Sequence, residues 1–213
     1  FGVLFLVGNF IPQSWPLILV GLGISFLLAA LLNKTGGLAI AGMINLTLGL
    51  IFMSQVITQK WSGWVYLWPF VTAALGGGLV IAHILGTGGT KTRRVGWSWF
   101  ISGILFAAGT YYWVAFQAQS FSWAWIILGL GLQFLMVSIF SAVAVLSIPG
   151  TILSAIGAIL FLQHRTGDWA SWSYVWPLVL TGVGLSFMVA YLFGLRSKSL
   201  LWVGVYFVSI SLL

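Results

Sequence analysis

Four times along this chain of 213 residues a tryptophan opens an apolar run long enough to cross a lipid bilayer. Trp15-Pro16, Trp68-Pro69 and Trp176-Pro177 begin three of these runs. Trp123-Ala124 stands where the fourth pair belongs, and the spacings are 53, 55 and 53 residues. Charge-free stretches of roughly 17–22 residues recur throughout, the length a helix needs to span hydrocarbon. Lipid offers no partner to a backbone amide, so a spanning segment must satisfy its own, as a helix does. A transmembrane barrel would alternate apolar and polar residues in strands of about ten, and that pattern does not occur. The expected fold class is all-α: a polytopic transmembrane helical bundle of about 8–9 helices from four tandem two-helix repeats.

Composition agrees. Hydrophobic residues make up 61% of the chain and charged residues 4%, whereas a soluble domain carries about 25% charge. The net charge of +7 would suggest nucleic acid in a soluble protein; in a membrane protein it reports orientation and contact with anionic headgroups, so no nucleic-acid partner is expected. Cysteine is absent, which excludes disulfides, thiolate metal sites and cysteine nucleophiles. The sequence begins and stops inside apolar runs, so flanking segments are expected.

Nine apolar segments are read at 1–10, 16–32, 37–57, 67–86, 95–116, 123–140, 143–162, 175–195 and 199–213. Together they form a single transmembrane domain, with repeat hairpins at 1–32 (first helix partial), 37–86, 95–140 and 143–195 and a partial helix at 199–213. One set of connectors is short and basic, with Lys34, then Lys91, Arg93 and Arg94, then Arg196 and Lys198; the connector near Ser141 has no charge. The other set is rich in tryptophan and holds only Lys60 and Arg165 as cations. Basic loops stay in the cytoplasm, which places the basic turns inside and the tryptophan loops outside. Trp15, Trp61, Trp64, Trp68, Trp123, Trp125, Trp169, Trp172 and Trp176 then form an interfacial belt, since indole rings favour headgroup depth. Proline at the first turn of the returning helix costs no hydrogen bond.

Behind the tryptophans lie small residues. Gly21 with Ser25, Ala74 with Gly78, and Gly182 with Ser186 form pairs four apart on one helical face, and Gln133 stands in the serine's place in the third copy. Gly42, Gly96 and Gly150 recur at 54-residue intervals, and Gly49, Gly103 and Gly157 follow each by seven. Such faces let helices approach closely, and a buried glutamine seeks a partner across the interface. All of these are assigned to helix packing.

No catalytic constellation is present, so no enzyme is expected. A single acid, Asp168, excludes paired-carboxylate catalysis and carboxylate metal cages; with Arg165 it is expected to form a local ion pair or an N-cap. Gly86-Thr87-Gly88-Gly89-Thr90 follows no strand and reads as a flexible turn. Near mid-membrane the runs hold only the neutral amides Asn45, Gln55 and Gln133 and no ionisable group, so ion or proton coupling is not expected. His83, late in its segment, is the one candidate ligand for a pigment or haem. No cofactor is expected beyond lipid; a bacteriochlorophyll or carotenoid would be the exception.

The stretch Trp-Pro-Leu-Ile-Leu-Val-Gly-Leu-Gly-Ile (Trp15 to Ile24) and its copy Trp176 to Leu185 resemble the membrane segment of the LiaF/LiaI-like bacterial envelope-stress proteins. The Gly-x-x-Phe half of that family's hairpin is matched by Gly2 to Phe5, Gly49 to Phe52 and Gly103 to Phe106, with Phe161 one position late after Gly157. The resemblance implies a sensory or regulatory membrane anchor, and the membrane expected with it is a bacterial plasma (inner) membrane. The residues themselves favour a non-enzymatic scaffold or accessory subunit, whose partners are the bilayer and other membrane subunits or further copies of itself. A pigment-binding or antenna-associated subunit and a small-solute transporter are the remaining expectations.

Overall fold

The computed structural model describes residues 14–117 and 123–212. Among these the chain is all-helical, with no strand, and seven helices are long and apolar enough to cross a membrane. The segment expected at 1–10 lies outside the described residues. The chain divides into two compact units, Phe1–Gln117 and Ala118–Leu213. The boundary cuts the hairpin read at 95–140, because its two helices belong to different units.

Unit 1 contains α1 (Pro16–Asn33), α2 (Gly36–Thr58), α3 (Trp64–Ile84, entered through a 3-10 turn at Trp61–Gly63) and α4 (Thr90–Gln117). Pro16 is the first residue of α1, where its missing N–H would have had no partner. The helix ends at Lys34, whose φ of 50° is left-handed; the Thr35 amide then turns back to the Ala30 carbonyl at 3.1 Å, closing the terminus as such caps do. A two-residue link follows and α2 returns antiparallel. Each helix packs chiefly on its neighbours in the chain, α1 on α2, α2 on α3 and α3 on α4. The unit is an open row, one helix thick.

Glycine sets the spacing of this row. A Cβ on Gly23 would lie 2.5 Å from the Leu46 amide nitrogen, and one on Gly78 would lie 2.5 Å from the Ile40 Cα. Any side chain at either site would therefore force two helices apart. The most extensive contacts join each Trp-Pro helix to the helix after it, across the short basic turn. The expected pairing across the tryptophan loop, α2 with α3, is also present but is less extensive.

Unit 2 contains α5 (Ala124–Ser141), α6 (Ser147–Thr166, entered through a 3-10 turn at Ala144–Leu146), α7 and α8 (Lys198–Ser211). α7 covers Trp172–Leu195; it opens as a single turn at Trp172–Val175, continues over Pro177–Ala190 and ends in a π-helical turn, Tyr191–Leu195. Gly194, at φ 126°, takes a conformation open only to glycine and stops it. This unit too is a row in chain order. α5 ends at Ala142 with φ 56°, and the Val143 amide bonds the Ser138 carbonyl at 3.2 Å.

The prolines correct one expectation. Pro16 opens its helix and Pro177 opens the main run of α7, just after the separate turn at Trp172–Val175, but Pro69 lies inside α3, five residues after Trp64. In α3 the turn of tryptophans starts the helix early, ahead of the proline. Pro69 then cannot donate to the carbonyl one turn back.

Candidate functional site

Large polar-apolar side chains gather where α2 meets α3 and where α6 meets α7. In unit 1 the gathering point is Phe52, late in α2. Trp64 stacks on it with ring centroids 5.5 Å apart and planes 8° from parallel, Trp15 lies at 5.0 Å, and Trp61 at 6.4 Å. Aromatic pairs contribute about 0.5–1.5 kcal/mol each beyond burial, so this clasp ties α1, the tryptophan turn and α3 to one ring. Trp68 is buried, 5% exposed, and its indole nitrogen finds no acceptor. It therefore departs from the interfacial placement expected of it, whereas Trp176, likewise just ahead of a proline, stays 51% exposed. Gln55 is also buried, and neither atom of its amide has a partner.

In unit 2 the same junction is polar. Gln163 Nε2 donates to the Ser171 hydroxyl at 3.1 Å, and that hydroxyl donates to the Asp168 carbonyl at 2.6 Å. The Ser171 amide donates to Asp168 Oδ1 at 3.1 Å, and the Tyr174 hydroxyl approaches Oδ2 at 3.5 Å. A carboxylate accepting an amide three residues on acts as a cap for the turn that follows. Trp123, Trp169, Trp172 and Trp176 are exposed, as are Trp15 and Trp61 in unit 1; Trp125 is half-buried, 4.6 Å from the Phe161 ring.

The small residues divide in role. Gly42, Gly49, Gly96, Gly103, Gly150 and Gly157 are all buried and face the backbone of a neighbouring helix. Ala74, Gly182 and Ser186 are buried as well, and the Ser186 hydroxyl bonds back to the Val183 carbonyl at 2.7 Å. Gly21 is only half-buried and Ser25 is exposed; in α1 the close approach falls to Gly23, two residues along, which turns Ser25 outward. Gln133 is fully buried, and its Oε1 accepts no hydrogen bond although the residue is otherwise engaged.

His83 Nδ1 meets the Gly88 carbonyl at 2.8 Å. A carbonyl can only accept, so Nδ1 carries the proton. The Thr87 hydroxyl and amide both bond the Ala82 carbonyl, at 2.7 and 3.0 Å, so the turn expected to be flexible is fastened at three points. Among the described residues no group of three or more His, Asp or Glu could hold a metal. Asn45, Ser54, Thr72, Ser98 and Thr110 all bond carbonyls of their own helices, which hides their polarity from lipid. Gln55 lies one turn from the end of α2 rather than deep in the span.

Phe52, Ser171 and the Thr181–Ser211 hydrogen bond of 2.7 Å escape a reading of the sequence. Phe52 is visible there only as part of a glycine-phenylalanine spacing, and the serines look like ordinary small residues. Compared with known proteins, the chain matches no protein-family model, no curated sequence and no solved structure.

Proposed function

We propose that this chain is a non-enzymatic integral membrane scaffold or accessory subunit that presents broad apolar helix faces to lipid and to partner subunits. The observation that carries the reading is the row architecture. Only 17% to 39% of each spanning window is buried, and exposed residues such as Ile101, Leu105, Tyr112 and Phe116 line α4 along its length. A transport path needs polar lining, whereas here hydroxyls such as those of Ser54, Thr72, Ser98 and Thr110 are turned onto their own helices. The two units are tandem copies of a four-helix block: α5 begins 108 positions after α1, and α8 begins 108 after α4. Charge places the basic turns in the cytoplasm and the tryptophan turns outside.

A second reading is a regulatory anchor of the LiaF/LiaI-like kind. It is favoured by α2 and α3, a glycine helix followed by a Trp-Pro helix, which pack through Gly78 on Ile40. Gentle extraction followed by native mass spectrometry tests the scaffold. Co-purifying subunits or an oligomer are expected, and a lone monomer in every mild detergent would overturn it. Because the chain has no cysteine, single cysteines at Lys34 and Trp169 can be labelled from outside intact cells. Only the second should react.

A further inference from the structure

We infer that the outer end of unit 2 is a binding site for the ammonium group of a zwitterionic phospholipid, formed by Asp168 with Trp169, Trp172 and Trp176. The inference rests on the membrane-spanning reading above. Asp168 is the only acid in a chain of net charge +7, and it is exposed. Its carboxylate is held in place by the Ser171 amide at 3.1 Å and the Tyr174 hydroxyl at 3.5 Å. The three indoles are 48%, 43% and 51% exposed. The Trp172 amide bonds the Trp169 carbonyl at 3.2 Å and the Trp176 amide bonds the Trp172 carbonyl at 3.3 Å, so successive turns gather the three tryptophans next to Asp168.

A residue at the start of a 24-residue apolar helix sits at headgroup depth. Indole rings alone would suffice to anchor the helix there. A fixed carboxylate would not help, since at that level it faces lipid phosphates unless it meets a cation. Indole faces attract ammonium groups, and a carboxylate beside them adds a charge of the right sign. Arg165, three residues earlier, gives this end both signs of charge, as a phosphate-ammonium headgroup has.

Unit 1 supplies the contrast. Lys60 stands 108 positions before Asp168, Trp64 is stacked on Phe52 and Trp68 is buried. That end has no carboxylate and no exposed group of three indoles.

The test uses the full chain in nanodiscs of equal parts phosphatidylethanolamine and phosphatidylglycerol, with bound lipids counted by native mass spectrometry. About a threefold excess of phosphatidylethanolamine over phosphatidylglycerol among the retained lipids is expected, from the size of a cation–π contact with charge assistance. Asp168→Asn should remove the excess, and Lys60→Gln should leave it. Trp172→Leu, which keeps the carboxylate and its hydrogen bonds, should reduce it. Equal retention by the native chain, or an excess that survives Asp168→Asn, would overturn the inference and leave the scaffold reading standing. Failure of the chain to enter bilayers at all would overturn both.

Discussion

At the tryptophan-turn end of unit 1, Phe52 sits among Trp15, Trp61 and Trp64, and the loop closes by ring contact. The residue 108 positions after Phe52 is Leu160, and around it the closure is made instead by Gln163, Asp168, Ser171 and Tyr174 through hydrogen bonds. The same exchange occurs between the last two helices of each unit. A Cβ on Gly103 would lie 2.6 Å from the Ala73 amide nitrogen, whereas the positions 108 further on, Ser211 and Thr181, share a hydrogen bond of 2.7 Å. At these two places unit 1 relies on rings or close packing where unit 2 adds polar pairing, although Gly157 and Gly184 keep close backbone approaches in unit 2 as well. Dispersion over a glycine contact and a hydrogen bond away from water are alternative means of holding helices in lipid. The first fails when volume is added, the second when a donor is lost.

That contrast can be broken by substitution. Gly103→Leu should cost most, several kcal/mol, because overpacking forces α4 off α3; it would appear as loss of the thermal unfolding transition in detergent. Ser211→Ala should cost only about 0.6 kcal/mol, and a comparable loss from both would end the distinction. Phe52→Ala comes next, at about 2–4 kcal/mol, with a red shift of tryptophan emission as Trp61 and Trp64 lose their platform. Leu160→Ala should leave emission nearly unchanged.

Gly63 occupies, in unit 1, the place of Ser171, which is why Gln55 has no counterpart to the Gln163–Ser171 bond. Gly63→Ser should supply one and stabilise by about 1 kcal/mol. The nearest obstacle to its Cβ is the Tyr66 hydroxyl at 3.2 Å, the far end of a movable side chain. An unchanged melting temperature in Gly63→Ser, together with no loss in Ser171→Gly, would show that these amides find other partners. An effect as small as that of Ser211→Ala is expected at Ala142, left-handed at φ 56°. Replacement by glycine should add about 0.5–1 kcal/mol by relieving its Cβ, measured by the same melt.

Much of the architecture was legible because lipid imposes so few solutions. The apolar runs place the helices to within about five residues, the largest difference being at α4, which starts at Thr90 rather than 95 because its first turn carries Lys91, Arg93 and Arg94. The small residues were legible as packing positions, but not which of two neighbours in α1 would face inward: Gly21 with Ser25 and Gly23 lie on adjacent sides of the helix, and only the partner decides. The candidate site was harder still. Phe52 and Leu160 differ by one side chain in a sea of apolar residues, and nothing local says that three indoles will converge on the first.

Residue order alone dictates that these segments are helices, roughly where each ends, and that neighbours within a unit run in opposite directions. Those properties follow from hydrocarbon length, from turns too short to do anything but reverse, and from charge confined to the connectors. Only the tertiary structure decided that the helices of each unit lie in an open row, and that Trp68 turns inward while Trp176 does not. It also decided that one end is closed by rings and the other by an acid. These depend on contacts between residues distant in the chain, whose geometry is set by the few tenths of an ångström that a glycine leaves between two helices.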